Sequence, residues 1–363
     1  MRICFVADAN HPNTLNWAEY FAADLGHDVH ILSLNEPLRR SDSVVFHHIK
    51  APISNKLRYL FSGHPLKQLV TEISPHLVIG YRLTSYAYMA ANLGFHPLVV
   101  VAQSEKAAGR FRVIRKPAQW LAAKYALRRA DLALAWAPHM AQDMVRLGCD
   151  PKKIFVLPRG VDLRRFRFSH DNDSRALSLI TTRGLKRDYD LSIVIEAVGQ
   201  LADRVTNLKY TVVGDGPDKR RLIRFTQKMK IGNHIEFVGE VPYDSIADYL
   251  YASNIYISPV PEDGVSSSLL EAMAAGTFPI VTNIKANRYW QHLGCKLLLF
   301  KPGSVKDLVN NILEYHNNRI ELSHYLQINR DVVQKRASWV ANMHNIEQTL
   351  LKLLDTTANG HCA

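Results

Sequence analysis

The sequence predicts an α/β protein with two doubly wound parallel sheets, one in each half of the chain. Three observations support this fold class. Short apolar runs alternate with helical stretches through both halves, a pattern typical of parallel strands connected by helices. The chain has 363 residues, more than a single hydrophobic core usually supports. A polar stretch at 162–174 has little periodicity and therefore predicts a linker between the two regions.

The first half begins directly with an apolar run that is too short for a signal peptide and predicts a strand. The strands expected here are Ile3–Ala7, Val29–Leu34, Leu77–Ile79, Leu98–Ala102 and Leu132–Ala135. The helices expected between them are Trp17–Leu25, Ser85–Leu93 and Pro117–Ala130. Proline is favoured at the first position of a helix, where a missing N–H leaves no partner unpaired, so Pro117 marks a helix start.

The second half repeats the alternation. The strands expected are Leu177–Thr181, Leu208–Val213, Ile235–Phe237, Ile255–Ser258, Phe278–Thr282 and Leu297–Phe300. The helices expected are Leu191–Leu201, Asp218–Lys230, Ser245–Ala252, Ser304–His316 and a terminal helix at Ile346–Leu354. We therefore expect domains at 1–168 and 169–335, and a helical segment at 336–363 that could return to the N-terminal domain. Ligands of such sheets bind at the carboxyl ends of the strands, and a cleft between two domains suits a two-substrate reaction.

Composition narrows the class of protein. No run of 18 uninterrupted apolar residues occurs, which argues against a membrane span. The four cysteines are scattered without CxxC spacing, so neither a zinc site nor a disulfide framework is indicated and a reducing cytoplasm is expected. The chain also lacks a P-loop, a GxSxG elbow and an HExxH motif.

Positive charge is concentrated in the first half. Residues 1–168 contain 23 Lys and Arg against 12 Asp and Glu. Their balance of +11 is nearly all of the net charge of +12. The stretch from Lys106 to Arg129 contains eight cations and no acid. Such a patch suits an anionic membrane surface, an anionic substrate or nucleic acid, and a solvated helix face is an equal alternative. Nucleic acid ranks well below membrane because no DNA- or RNA-binding motif is present.

The most informative stretch, residues 258–282, reads SPVPEDGVSSSLLEAMAAGTFPIVT. It places an acidic loop and three serines before a predicted helix, with a strand following. A helix N-terminus exposes unpaired backbone N–H groups and the positive end of the peptide dipole, which favours phosphate. Asp263 and Glu271 stand on either side of that position. An alternative interpretation is that Ser268 and Glu271 form a capping box, a common way to begin any helix.

This stretch resembles the sugar-nucleotide signature of the retaining glycosyltransferases of the GT-B fold, the glycosyl transferases group 1 family. The resemblance extends over most of the chain. The first of its other segments, Asp8–His30, is similar to the family's opening strand, loop and helix, and ends at Gly26–His30 in a turn like the family's GHEVH. The others are the domain-closing segment from Ala130–Leu132 to Leu157–Asp162, which contains the counterpart of PNGVD, then the strand-to-helix turn Val213–Pro217, and Phe237–Gly239. Together these segments are specific for the family, although each one alone is weak.

For the donor, the resemblance implies that cationic side chains bind the diphosphate and that no metal or cofactor is needed. Arg183 is the first cation. The family's lysine position is occupied by Asp188, so either Lys186 or the adjacent Arg187 replaces that lysine, or the second charge is absent. Asp263, where the family more often has Glu, would contact a hexose hydroxyl, and Glu271 the ribose hydroxyls. The remaining donor-binding candidates are Gly264, Val265, Ser266, Ser267, Ser268, Leu269, Gly214 and Val238; for Gly214 a tight turn is the more common role.

For the acceptor, the resemblance implies residues at the ends of the N-terminal strands. The candidates are Asn10, Arg82, Gln103, Ser104, Glu105 and Arg159. Gln103 stands where many relatives have a histidine, and Arg159 replaces the asparagine of PNGVD. Each substitution keeps a polar or charged group, which favours altered acceptor recognition over loss of activity.

The resulting prediction is a cytoplasmic, retaining glycosyltransferase, peripheral to the membrane, that moves a hexose-type sugar from UDP- or GDP-sugar to a glycan or lipid-linked acceptor hydroxyl. The transfer would be a step in the synthesis of a glycolipid or a cell-surface polysaccharide. Two other classes stay open. A nucleotide-sugar isomerase or hydrolase would turn over the donor without an acceptor, and a non-catalytic carbohydrate or lipid-surface binder would bind without turnover.

Overall fold

A computed structural model describes the chain over residues 1–51, 58–102, 117–169 and 176–360. The chain forms two compact units, each built on its own parallel sheet. The first unit contains Met1–Leu157 and the chain from His344 onward, and the second contains Pro158–Met343.

Both boundaries differ from the expected ones at residues 168 and 335. The segment after Leu157 joins the second unit because Val161 pairs with the end of that unit. Its N–H donates to the Ala337 carbonyl at 2.8 Å, and its carbonyl accepts from the Trp339 N–H at 2.9 Å. Beyond His344, Glu347 is buried and its Oε1 lies 2.8 Å from Nε2 of His27, a residue of the first unit.

The sheet of the first unit has seven parallel strands in the order β3-β2-β1-β4-β5-β6-β7. They are β1 (Arg2–Val6), β2 (Asp28–Ser33), β3 (Val45–His48), β4 (Leu77–Tyr81), β5 (Leu98–Val101), β6 (Leu132–Ala135) and β7 (Ile154–Val156). The helices are α1 (Pro12–Glu19), which continues as a π-helix (Tyr20–Asp24), α2 (Arg58–Phe61), α3 (Gly63–Ile73), a π-helix (Arg82–Tyr86) leading into α4 (Ala87–Ala91), α5 (Pro117–Arg129) and α6 (Pro138–Arg146).

The sheet of the second unit has six parallel strands in the order β10-β9-β8-β11-β12-β13. They are β8 (Leu177–Thr182), β9 (Leu208–Val213), β10 (Ile235–Gly239), β11 (Ile255–Ser258), β12 (Phe278–Thr282) and β13 (Leu298–Phe300). The helices are α7 (Ser192–Leu201), α8 (Lys219–Lys228), α9 (Ile246–Tyr251), α10 (Ser267–Ala275), α11 (Lys285–His292), α12 (Val305–Asn317), α13 (Arg319–Ala337) and α14 (Trp339–Gly360).

The predicted fold class is confirmed, and every strand expected from the sequence is present. The strands that the sequence did not indicate, β3 and β7, lie at the two edges of the first sheet, where each has one neighbouring strand. They are partly exposed, and β3 contains two histidines. Edge strands are less buried than central ones, so they lack the continuous apolar run that reveals a central parallel strand.

None of the helices in the described ranges combines the length and the apolar character needed to cross a bilayer. Within the same ranges, Cys4, Cys149 and Cys295 are buried free thiols.

Candidate functional site

The strand order of the second sheet reverses between β8 and β11, which are hydrogen-bonded neighbours. In doubly wound sheets, ligands bind beyond the carboxyl ends of the strands at such a switch point. Arg183 directly follows β8, and the loop 259–266 follows β11 and leads into α10. The sheet topology therefore brings the two parts of the expected donor site together, although they are far apart in the sequence.

Arg183 is held by three oxygens from that loop and from the strand before it. Its Nη1 donates to Oδ2 of Asp263 at 2.7 Å, to Oγ of Ser266 at 3.2 Å and to Oγ of Ser258 at 3.3 Å. The guanidinium carbon lies 4.9 Å from the centre of the Tyr189 ring. Burial acts to lower the pKa of Arg183, but the charge and hydrogen bond of Asp263 together with the neighbouring Tyr256 and Tyr189 raise that pKa overall. Arg183 is thus a fixed positive charge at the carboxyl end of β8.

The first turn of α10 begins at Ser267, and Ser266 is its N-cap. The Ser266 Oγ accepts a hydrogen bond from the Leu269 N–H at 3.2 Å. Ser268 has another role, because its Oγ donates to the Thr182 carbonyl at 2.8 Å. The capping box of Ser268 with Glu271 is therefore wrong. Because a helix lacks internal partners for its first N–H groups, those of Ser267 and Ser268 are available to a ligand.

Glu271 lies one turn into α10 and is 6% exposed. Its Oε1 accepts a hydrogen bond from the Tyr243 hydroxyl at 2.8 Å. Burial raises the pKa of Glu271, while the Tyr243 hydrogen bond and the nearby charges of Arg159 and Arg183 act to lower it. A buried carboxylate of this kind needs donors, and the ribose of a nucleotide supplies two hydroxyls.

The glycine turn after β9 serves the packing of the loops. Gly214 has φ 135°, and its N–H donates to the Gly239 carbonyl at 2.7 Å. A Cβ at Gly214 would lie 2.3 Å from the Arg183 carbonyl oxygen, so no other residue fits. Val238 is half-buried near the end of the neighbouring strand β10. Gly214 therefore lets the β9 turn pack directly against the Arg183 backbone. Gly264 and Val265 are buried in the loop before α10.

Lys186 shares an aromatic neighbour with Arg183. Its Nζ lies 5.5 Å from the centre of the Tyr189 ring, and the side chain is exposed. Asp263 uses both carboxylate oxygens, because its Oδ1 accepts from the Gly264 N–H at 2.9 Å while Oδ2 pairs with Arg183. Over the described residues, no group of three or more His, Cys, Asp or Glu side chains is arranged to hold a metal ion.

Two of the residues expected on the acceptor side lie in the described part of the first unit. Asn10 and Arg82 follow the adjacent strands β1 and β4, where the first sheet reverses its order. The Asn10 amide holds the next loop: Nδ2 donates to the Glu36 carbonyl at 2.8 Å, and Oδ1 accepts from the Leu38 N–H at 2.7 Å. Arg82 is exposed with φ 74°. Gln103, Ser104 and Glu105 lie outside the described residues.

Arg159, which we expected beside the acceptor, belongs to the second unit. Its Nη1 donates to the Ser267 Oγ at 2.9 Å, at the first residue of α10. The structure therefore places Arg159 among the residues expected to bind the donor.

Two aromatic residues of the site were not identified from the sequence. Tyr243 donates to Glu271, and its ring packs edge-on against Phe166 and under the Arg165 guanidinium. Tyr189 lies against Arg183. No local pattern marks either residue, because both face the site from short 3₁₀ turns, Tyr243–Ser245 and Arg187–Tyr189.

Comparison with solved structures and family models identifies the class. HepE from Anabaena, solved in complex with UDP-glucose, has a TM-score of 0.77 over 97% of this chain and 100% of its own length, at 16% identity. A likeness at this identity shows the fold, which is the GT-B fold of two Rossmann-like domains. Residues 163–331 match the family model of glycosyl transferases group 1, and residues 2–135 match that of glycosyl transferase 4-like proteins. Residues 163–331 therefore belong to the glycosyl transferases group 1 family, and residues 2–135 are similar to glycosyl transferase 4-like proteins.

Three curated relatives illustrate the range of the family. "Putative colanic acid biosynthesis glycosyltransferase WcaL" of Salmonella typhimurium is 30% identical over 164 residues, which is 43% of this chain and 40% of the relative. "Putative teichuronic acid biosynthesis glycosyltransferase TuaC" of Bacillus subtilis is 28% identical over 210 residues, which is 54% of this chain and 50% of the relative. Alpha-monoglucosyldiacylglycerol synthase of Acholeplasma laidlawii is 22% identical over 151 residues, which is 38% of this chain and 37% of the relative. The matched region therefore spans half or less of each relative.

Proposed function

We propose that this protein is a retaining glycosyltransferase that transfers a hexose-type sugar from a nucleoside diphosphate sugar to an acceptor hydroxyl. One observation carries the proposal: Arg183, Asp263 and Glu271 meet around the N-terminal turn of α10, at the switch point of the second sheet. A cation, free N–H groups and a buried carboxylate match the diphosphate and ribose of such a donor.

The donor would bind with its diphosphate between Arg183 and the Ser267 and Ser268 N–H groups. The ribose hydroxyls would donate to Glu271, whose Oε1 already accepts one hydrogen bond from Tyr243. The hexose would lie near Asp263, which keeps lone pairs for a sugar hydroxyl beside its bond to Arg183.

The chemistry follows from where charge develops. As the glycosidic bond breaks, negative charge grows on the outer phosphate, and a fixed guanidinium there lowers the barrier. Arg183 is preorganised for this role because Asp263, Ser258 and Ser266 hold its Nη1 before any donor binds. In a retaining front-face reaction the acceptor attacks from the side of the leaving phosphate, which takes the acceptor proton. This assignment requires neither a cofactor nor a metal ion, because the positive charge comes from side chains.

For the donor, UDP-sugar is the first candidate and GDP-sugar the second. The support for UDP is the solved HepE complex with UDP-glucose, which has the same fold. For the process, the names of WcaL and TuaC support polysaccharide synthesis, and the name of the monoglucosyldiacylglycerol synthase supports a lipid-linked acceptor.

A membrane-bound acceptor also agrees with one surface of the first unit. We call the α5 surface the exposed side of α5 formed by Trp120, Leu121, Lys124 and Arg128. Leu121 is 58% exposed, and the Lys124 Nζ lies 4.7 Å from the centre of the Trp120 ring. Helix α5 contains no acidic residue. Apolar and cationic groups on one helix face suit an anionic lipid interface, which would make the protein peripheral at the cytoplasmic side of a membrane.

The test is a panel of labelled UDP- and GDP-sugars incubated with the protein, with and without a membrane lipid extract. We expect nucleotide release with one donor, and transfer of the label to the extract. Sugar turnover in the absence of any acceptor would instead favour the isomerase or hydrolase. Donor binding without release under either condition would favour the non-catalytic binder.

A further inference from the structure

We propose that Arg159 is a second cation that binds the donor diphosphate, in place of the lysine that this chain lacks at position 188. The inference rests on the proposed function, because it assumes that a nucleoside diphosphate binds at α10. It is carried by the position of Arg159, by an unused donor on its side chain and by the rigidity of its backbone.

The position is the first turn of α10. The Arg159 Nη1 donates to Oγ of Ser267, the first residue of that helix, at 2.9 Å. The N–H groups of this turn are the ones available to phosphate. The charge of Arg159 also acts to lower the pKa of Glu271, so the guanidinium lies near the proposed ribose position as well. Asp188, in contrast, places a negative charge where the resemblance leads us to expect a lysine.

The guanidinium has an unused donor. The Arg159 Nε is buried, and no acceptor for it occurs among the residues that the structure describes. A buried donor without an acceptor is destabilising, and buried polar groups in folded proteins nearly always have partners. A phosphate oxygen would supply that acceptor, and the planar fork of arginine can donate to two phosphate oxygens at once.

The backbone that carries Arg159 is held on both sides. The Asn342 Nδ2 donates to the Pro158 carbonyl at 2.7 Å, and Val161 bonds to Ala337 and Trp339. Gly160 between them has φ 90°, and a Cβ there would lie 2.9 Å from the Trp339 Cα. Arg159 therefore starts from a fixed point. Less conformational entropy is lost on binding when the backbone of a cation is already fixed, and this strengthens the binding of an anion.

The test compares nucleoside diphosphate with nucleoside. UDP and GDP are first titrated against the wild type, and the one that binds more tightly is used with its own nucleoside. Arg159→Asn, the family residue, should weaken diphosphate binding by about tenfold to a hundredfold, the value of one charged hydrogen-bonded contact. Nucleoside affinity should stay within about twofold, because a contact with phosphate is absent from the nucleoside. Arg159→Lys should recover part of the loss, and Arg220→Ala, an exposed cation on α8, serves as the matched control.

Three results are decisive against the inference. Unchanged diphosphate affinity in Arg159→Asn would show that the cation makes no such contact. An equal loss for nucleoside and diphosphate would show that Arg159 acts through Glu271 on the ribose. If Arg159→Asn does not fold, the two ligands are compared in Arg159→Lys instead. The proposal is then overturned if the affinity for the diphosphate and the affinity for the nucleoside change by the same factor relative to wild type. A wild type that binds neither UDP nor GDP would instead overturn the proposed function itself.

Discussion

Glu271 is a carboxylate that the fold buries at a cost. Burial raises its pKa above the ordinary value of 4.5, so folding favours its protonated form. Stability from this group is therefore fully present below the unfolded pKa and is lost as the pH rises through the folded pKa. A charge that reduces stability near neutral pH is common at functional sites, where the group is needed for a ligand.

We therefore expect Glu271→Gln to stabilise the free protein and to weaken its binding of the donor. At neutral pH the free energy of unfolding should rise, because the amide carries no charge and still accepts from Tyr243. Nucleotide affinity should fall about tenfold, since a neutral acceptor binds a ribose hydroxyl more weakly than a carboxylate does. Thermal unfolding with and without UDP measures both effects. Glu236→Gln, an exposed change in β10, is the control, and a lower melting temperature with intact affinity would contradict the assignment.

Arg183 should act mainly as the glycosidic bond breaks. Arg183→Lys keeps a positive charge for Asp263 but loses the planar fork that Ser258 and Ser266 hold in place. We expect kcat to fall about a hundredfold, and nucleotide affinity to fall much less, because the phosphate charge is greatest in the transition state. Steady-state kinetics and nucleotide titration separate the two, with the exposed Arg204→Ala as control. A full turnover number in Arg183→Lys would move this role to Lys186.

At the scale of elements, the α5 surface is the part of the first unit that we expect to contact lipid. Each well-placed Lys or Arg contributes about 1 kcal/mol toward an anionic membrane, and salt weakens that attraction. Lys124→Glu with Arg128→Glu should therefore abolish co-sedimentation with anionic vesicles that the wild type shows at low salt. The matched control is Arg40→Glu with Lys67→Glu, which reverses two exposed cations elsewhere in the same unit. Equal recovery with neutral and anionic vesicles would leave a soluble acceptor as the better proposal.

Helix α13 holds the end of α10 through Arg330. The Arg330 guanidinium donates to the carbonyls of Phe166, of Ala274 at 2.7 Å and of Leu163 at 3.3 Å. Burial lowers the pKa of this arginine, and its three acceptors are backbone carbonyls.

Loss of this contact should be structural in its effect. Arg330→Met keeps much of the side-chain length but leaves the carbonyls without their donor, so we expect a loss of about 3 kcal/mol in the free energy of unfolding. Arg336→Met, on the exposed side of the same helix, should change stability little. Chemical denaturation of both variants makes the comparison, and equal stability of the two would show that solvent replaces Arg330.

At the scale of the whole molecule, the first unit is built from both ends of the chain. The Glu347 Oε1 lies 2.8 Å from the His27 Nε2, and the His27 ring stacks on Phe21. Burial lowers the pKa of His27, and the hydrogen bond to Glu347 opposes this shift. His27 is therefore favoured in its neutral form in the fold, and stability from this group is present above its unfolded pKa and is lost as the pH falls.

Glu347→Ala should consequently destabilise the first unit. The buried His27 N–H would lose its acceptor, which costs about 1–3 kcal/mol. Hydrogen exchange should show faster opening in β1 and β2 and no change in β8 to β13. Glu321→Ala, an exposed position on α13, is the control, and uniform protection across both variants would contradict this role of the terminal helix.

Local patterns along the chain were sufficient to predict the two sheets, their central parallel strands and the α10 signature, but not the edge strands β3 and β7. Buried parallel strands are continuous apolar runs, and the glycine, serine and acidic residues of the signature are adjacent along the chain, so short windows reveal both. The same reasoning identified Arg183 and Glu271 through the resemblance, before any contact between them was known.

Which residues share the site became known from the folded structure. Arg159 and Ser267 are 108 positions apart, and Tyr243 and Glu271 are 28 apart, so no local period relates either pair. In the structure Arg159 contacts the first residue of α10, Ser266 and not Ser268 is the N-cap, and the terminal helix belongs to the first unit from His344 onward. Hydrogen bonds between distant residues depend on how strands are ordered in the sheet, which sequence periodicity does not encode, whereas the strands themselves follow from the local burial of apolar side chains.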